Sequence, residues 1–307
     1  MLNKIKLKKI NIELIIIIIL VLLVFYSFYK YIDEYYNYDY EATVEMYNSS
    51  VERCKKQHDP GCDNLEYPLT PKEEFQKLDT KTLFFEIKNH YFSDYAVILL
   101  QLFMIIIIVS KVHKYFSSGI IKNYLMREDF KSFKKKINKE VIKTSLILPL
   151  CIFLIFIISA ILTRFNFKVD ESVYQISVYN KWNYNNFYLY LIMHYIILVF
   201  TCIFYGNLSL CFINKHKNSF VVTIISYLSF YVVVFIFAFF QIFMVNNFLK
   251  SIIDYFNIFD FWHIEGYKDV IGYLVMSVLL AGTSYLVQSR ILKNKEKVLI
   301  ENEKEIV

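Results

Sequence analysis

Residue types able to do chemistry are sparse in this chain, and they fall in three places. The first is Cys54-Lys-Lys-Gln-His58-Asp-Pro60-Gly61-Cys62. Two thiols and an imidazole repeating every four residues would line one helical face, as a metal site requires. Pro60-Gly61 breaks such a helix and makes a turn that folds the two thiols together. The spacing therefore favours a Cys54–Cys62 disulfide, worth about 2.5 kcal/mol in the loop-entropy model, with a Cys54/His58/Cys62 metal site as the alternative. The second place is a set of polar groups inside long apolar stretches, Gln101, His194 and Gln241. Hydrogen bonding from helix to helix is their commoner use, and lining a substrate path is the sharper reading. The third is a cationic, patterned segment, 114–139.

No catalytic motif accompanies them. The sequence has no Gly-x-x-x-x-Gly-Lys-Ser/Thr phosphate loop, no His-Glu-x-x-His, no Gly-x-Ser-x-Gly and no paired acids within an apolar stretch. Glu73-Glu74 lies in a polar segment. The expectation is a non-enzyme that carries neither cofactor nor metal.

The elements that must position these residues are six apolar stretches: about Ile12–Tyr29, Tyr95–Ser110, Thr144–Thr163, Phe187–Ile213, Ser219–Val245 and Val270–Gln288. Each is roughly long enough to cross a ~30 Å hydrocarbon core at 1.5 Å per residue. Lipid offers the backbone no hydrogen bonds, so all six should be helices. The fold class expected is an all-α polytopic membrane protein with six transmembrane helices, one transmembrane domain over 1–307. No Asp, Glu, Lys or Arg lies well inside any stretch, which argues against a proton- or ion-coupled carrier. Cys151, Cys202 and Cys211 read as small apolar fillers. Ala281-Gly282-Thr283-Ser284 reads as a close-packing surface.

Loop charge sets the orientation, because Lys and Arg stay on the cytoplasmic side. The start (Lys4, Lys6, Lys8, Lys9), the turn at Lys215 and Lys217, and the tail from Arg290 are all basic. So is 111–143, with ten Lys/Arg against three acids. These four segments alternate onto one side, so both termini should be cytoplasmic in a multi-pass protein of the cell membrane. The +6 net charge is then a topological signature and points to no nucleic-acid partner. Residues 31–93 form an acidic extracytoplasmic loop, where Thr70-Pro71-x-Glu73 reads as a capping box. Asn246–Tyr267 should lie in the outer interface. Abundant Ile, Lys, Asn, Tyr and Phe with four Pro and six Gly suggest an AT-rich bacterial genome, so the sequon at Asn48 carries little weight.

Within 114–139, Ile120, Ile121, Tyr124 and Leu125 share one helical face flanked by Lys122 and Arg127. Asp129 would cap a second helix with Phe130, Phe133 and Ile137 inward and Lys131, Lys134 and Lys135 outward. Such an amphipathic helix suits docking of a cytoplasmic partner or contact with anionic lipid. The run Ser118-Gly119-Ile120-Ile121-Lys122-Asn123-Tyr124-Leu125, with Arg127 and Lys131 beyond, resembles the segment after the second span of type-two ABC exporter permeases. Gly119, Ile121, Lys122 and Leu125 match the family pattern, Lys131 stands where Arg is usual, and Lys139 or Lys143 takes the place of a later Lys. The usual Glu, Thr and Pro are replaced, the Glu by Tyr115 or Phe116, the Thr by Ile120 and the Pro by Glu128. The resemblance implies a permease subunit that binds no ATP itself, pairs with a second permease chain and docks a separate ABC ATPase subunit. Gly119, Ile121, Lys122, Leu125, Arg127 and Lys131 would form that contact, and the cargo would be amphipathic or hydrophobic. The other reading is a polytopic sensor or immunity protein using the outer loop as receptor.

Overall fold

The computed structural model describes residues 11–37, 39–57, 67–117, 129–168, 182–213, 215–216, 218–243, 255, 264 and 267–293. Among these, every regular element is helical. Helices α1 (Ile12–Tyr36), α2 (Tyr40–Gln57) and α3 (Pro71–Lys77) precede α4 (Thr80–Glu86). A π-helical turn, Ile87–Phe92, carries α4 into α5 (Ser93–Ser117). Then come α6 (Phe130–Ile147), a 3-10 turn at Leu148–Leu150, and α7 (Cys151–Leu162). The chain closes with α8 (Trp182–Asn185), α9 (Phe187–Ile213), α10 (Ser219–Phe243) and α11 (Tyr267–Ile291).

Six runs are long and apolar enough to cross a bilayer: Ile12–Tyr36, Thr80–Phe116, Phe130–Leu162, Phe187–Ile213, Ser219–Ile236 and Lys268–Ile291. Side chains such as Leu22, Phe25 and Tyr29 on α1 and Phe235 and Phe239 on α10 are exposed. Faces like these would be a liability in water and are ordinary against lipid. The chain is a multi-pass membrane protein. Six crossings return residues 11 and 293 to one end of the bundle, the terminal end. The opposite end, with α2 and α3, is the loop end.

Two helices begin earlier than hydropathy suggests, at Thr80 rather than near Tyr95 and at Phe130 rather than near Thr144. Polar residues end an apolar window without ending a helix. Asp79 starts α4 by accepting from the Lys81 and Thr82 amides at 2.9 and 3.1 Å. Asp129 occupies the cap position of α6, although its side chain makes no capping bond. Pro149 lacks an amide, and the chain accommodates it with the 3-10 turn between α6 and α7. The Leu146 carbonyl beside that turn accepts from Tyr195 Oη at 2.8 Å. At the far end of α7, Arg164 and Phe165 take positive φ, 53° and 59°, a conformation uncommon outside glycine. Thr80 and Asn166 pin this corner, the Thr80 amide donating to the Asn166 carbonyl at 2.7 Å while the Thr80 and Thr163 hydroxyls lie 2.7 Å apart.

The core is built around α9, which packs on α11, α5, α10 and α6. Gly206 is where three helices meet, since a Cβ there would stand 2.7 Å from Met104 on α5 and 2.8 Å from Val141 on α6. One residue on, Asn207 Nδ2 donates to Ser284 Oγ of α11 at 3.3 Å. Ala281 and Ser284 face this contact and are buried. Gly282 does not, because a Cβ there meets nothing within 4 Å. The close packing expected of Ala281–Ser284 thus comes from two of its members.

Candidate functional site

At the terminal end the chain leaves α5 and re-enters at α6. Gly119, Ile121, Lys122, Leu125 and Arg127 lie outside the described residues. Lys131, the sixth residue of the expected partner contact, is described, and it is exposed on the first turn of α6. Lys139 and Lys143 are also exposed, further along the same helix. The two helix ends are clasped together by rings: Phe133 sits 6.0 Å from both Phe116 and Tyr115 and 6.4 Å from Phe130. Lysine ammonium groups cover these rings, Lys134 over Phe130 at 5.2 Å and Lys136 over Tyr115 at 5.4 Å. Phe133 and Ile137 are buried as the α6 pattern requires. Such contacts hold about 0.5–1.5 kcal/mol each beyond area burial.

Further inside lies an ionic junction that the sequence reading missed. Lys111 Nζ on α5 lies 2.6 Å from Glu13 Oε2 on α1 and 3.4 Å from Glu140 Oε2 on α6. The three side chains are 20%, 14% and 36% exposed. Glu13 Oε1 is buried with no hydrogen-bond partner among the described residues. One cation thus lies within ion-pair distance of two carboxylates on two other helices, next to the α5–α6 corner, although its Nζ makes no hydrogen bond of good geometry among the described residues. Beside it, His113 Nε2 and the His216 carbonyl are 2.9 Å apart, tying the α9–α10 turn to α5.

The three intramembrane polar groups do not form one cluster. His194 on α9 is 0% exposed, with Nδ1 3.0 Å from Tyr190 Oη. Gln101 on α5 is also buried, and its Oε1 has no partner among the described residues. Depth along the bundle follows from the Met104–Gly206 contact. Gln101 is three residues before Met104 and His194 twelve before Gly206, so they differ in depth by about 13 Å at 1.5 Å per residue. The side chain of Gln241 lies outside the described residues.

The reading that charge stays out of the helical interior needs correction. Lys88, in the π-helical turn of the second candidate span, is 0% exposed. Its ammonium sits 5.6 Å from the Tyr190 ring and 6.0 Å from Phe85. A hydropathy window ends before this residue, but the four-residue period does not: Phe84, Lys88, Phe92 and Ala96 are all buried on one stripe. π-Helical turns recur where function needs a re-aimed side chain. This one points a lysine stem between two aromatic faces at the loop end.

At that same end the capping box is formed. Thr70 Oγ1 accepts from the Glu73 amide at 3.4 Å, while Glu73 Oε2 accepts from the Thr70 amide at 3.0 Å. Those bonds, the backbone one first, hold the Glu73 carboxyl below its ordinary range. Cys54, near the end of α2, is disulfide-bonded. Its expected partner Cys62, and His58 of the alternative metal site, lie outside the described residues. Cys151, Cys202 and Cys211 are free and buried, as fillers would be. Among the described residues no group of three or more His, Cys, Asp or Glu side chains is arranged to hold a metal. Of the outer-interface segment only Tyr255, Ile264 and Tyr267 are described, and the Tyr255 ring packs over Gly272 and Tyr273.

No family model, curated protein or solved structure matches this chain.

Proposed function

We propose that this protein is the membrane-spanning permease subunit of an ATP-driven exporter of the ABC type, with both termini in the cytoplasm. In this reading two permease chains pair with two copies of a separate ATPase, and the segment Gly119–Arg127 is the lever between them. One observation carries the proposal: α5 and α6 meet at a ring cluster, Phe116 and Phe133 being 6.0 Å apart. A load applied to the loop between them therefore acts on two helices at once. The Glu13–Lys111–Glu140 junction extends that load to α1. Rigid helices joined this way are the means by which a cytoplasmic switch moves a distant gate. The resemblance of Ser118–Lys131 to the coupling segment of type-two permeases supplies the identity of the load.

The cargo is amphipathic or hydrophobic, since the candidate spans are apolar and aromatic. Leu125→Asp tests the lever by placing an unpaired charge in a desolvated contact, at a cost of several kcal/mol. ATPase co-purification should fall at least tenfold while insertion and yield are unchanged. Unchanged co-purification removes the lever and favours the receptor reading of the outer loop.

A further inference from the structure

Between α5 and α10, with Ile12 of α1 at its rim, runs a groove of about 520 Å³. That volume lies within the ~300–1,000 Å³ of small-molecule sites. Its walls are Leu102, Ile106 and Val109 on α5 and Phe220, Ile224 and Leu228 on α10. At the terminal end the lining changes to hydroxyls, with Ser110, Ser219 and Thr223. We propose that this groove holds one acyl chain of an anionic phospholipid from the leaflet at the terminal end, with its headgroup at the start of α10.

Length selects the occupant. From Ser219 to Leu228, and from Ser110 back to Leu102, the groove covers eight or nine residues of helix, about 12–14 Å. That is close to half of a ~30 Å hydrocarbon core, the depth of one leaflet. Among the described residues the groove stops at mid-depth, short of what a second copy's helix laid along the 25 residues of α10 would occupy. Tyr227 also lines it, and its hydroxyl is 2.7 Å from that of Tyr231. That pairing satisfies the one phenol in the wall and leaves the interior suited to methylenes.

Charge selects the headgroup. The mouth coincides with the N-terminal turn of α10, where backbone amides lack intrahelical acceptors and the helix dipole favours an anion. Asn218 Oδ1 accepts from the Phe220 amide at 2.9 Å, which fixes that turn. Lys215 is exposed in the preceding turn, and the His113–His216 contact holds this turn against α5 beside Ser110. The α10 N-terminus and the Ser219 hydroxyl line the mouth where a chain in the groove would carry its phosphate, and an exposed cation, Lys215, stands four residues before Ser219 in the preceding turn.

The test uses full-length protein stripped of lipid in detergent and titrated with dioleoyl phosphatidylglycerol or dioleoyl phosphatidylcholine. Melting temperature and native mass spectrometry are the two readouts. Phosphatidylglycerol should raise the melting temperature and appear as a bound adduct at concentrations at least tenfold below phosphatidylcholine. Ile224→Trp, which fills the groove from an exposed position, should abolish the adduct for both lipids. Lys215→Gln, at an exposed position, should erase the preference and leave chain binding intact. Equal response to both lipids in the native protein overturns the headgroup assignment. A retained adduct in Ile224→Trp overturns the groove, and so does a disulfide between two copies formed through an introduced Ile224→Cys.

Discussion

Lys111→Met should be the most damaging single charge deletion in the terminal half of the bundle. At an effective dielectric constant near 20, the 2.6 and 3.4 Å contacts correspond to about 6 and 5 kcal/mol of attraction. Desolvation of all three groups and repulsion between the two carboxylates cancel most of it. What remains on deleting the lysine is a buried, uncompensated Glu13, and breaking such a pair from one side costs about 3–5 kcal/mol. Glu140 is more than a third exposed and water relieves it, so about 3 kcal/mol is the appropriate figure. At about 2–4 °C per kcal/mol for a domain of this size, the melting temperature should drop by about 6–12 °C. The assay is thermal aggregation of the detergent-solubilised protein followed by size-exclusion chromatography. Glu140→Gln should cost no more than about 1 kcal/mol, because its contact is longer and wetter. The double variant Glu13→Gln/Lys111→Met should recover part of the loss, since it removes the buried charge that Lys111→Met alone leaves behind. A shift below about 2 °C for Lys111→Met, or a double variant worse than the sum of its singles, would refute the junction.

Gly206→Val should destabilise by about 1–3 kcal/mol through overpacking against Met104 and Val141. Gly282→Ala, where a Cβ meets open space, should lose nothing. Both are read by the same melting assay. The Glu73 carboxyl lies below its usual range, so its capping bonds contribute at and above ordinary carboxylate pH and fade as pH falls through the lowered value. Proteolysis near α3 should accordingly rise at acid pH in the native protein and be pH-independent in Glu73→Gln. His194→Gln keeps a hydrogen-bonding group beside Tyr190 and should leave transport intact. In native protein, a protonophore at constant ATP should have no effect on transport, and sensitivity there would name Lys88 or His194 as the coupling group. An impermeant thiol reagent added outside cells should label Cys54 only after reduction, as its disulfide requires; labelling from the cytoplasmic face would invert the topology.

Much of the fold was legible because apolar length is a one-dimensional quantity. Phe187–Ile213 was bounded to the residue, since charge or polarity closes it at both ends. The start at Phe130 was readable from Asp129 and the Phe130/Phe133/Ile137 pattern, whereas the start at Thr80 was missed because a helix continues through polar residues wherever a cap such as Asp79 begins it. The Thr70–Glu73 box was readable because every participant lies within four residues. The Glu13–Lys111–Glu140 junction was not, because its members sit on three different helices, 98 and 29 residues apart along the chain, and no local spacing records which helices become neighbours. Lys88 falls between these cases. Its place on the Phe84–Phe92 stripe was visible at four-residue spacing, but the polar run Asn89-His90 and Ser93-Asp94 closed the hydropathy window at Tyr95 and left it outside.

The central claim is that the loop between α5 and α6 bears on an ATP-binding subunit in the cytoplasm. The most direct measurement is photo-crosslinking in native membranes, with a photoreactive side chain at Leu125 and a control at Met46, exposed on α2 at the opposite end. Adducts are probed with a radioactive azido-ATP analogue. The account predicts a nucleotide-labelled adduct from Leu125 and none from Met46. No labelled adduct from Leu125, or an equal one from both positions, would contradict it.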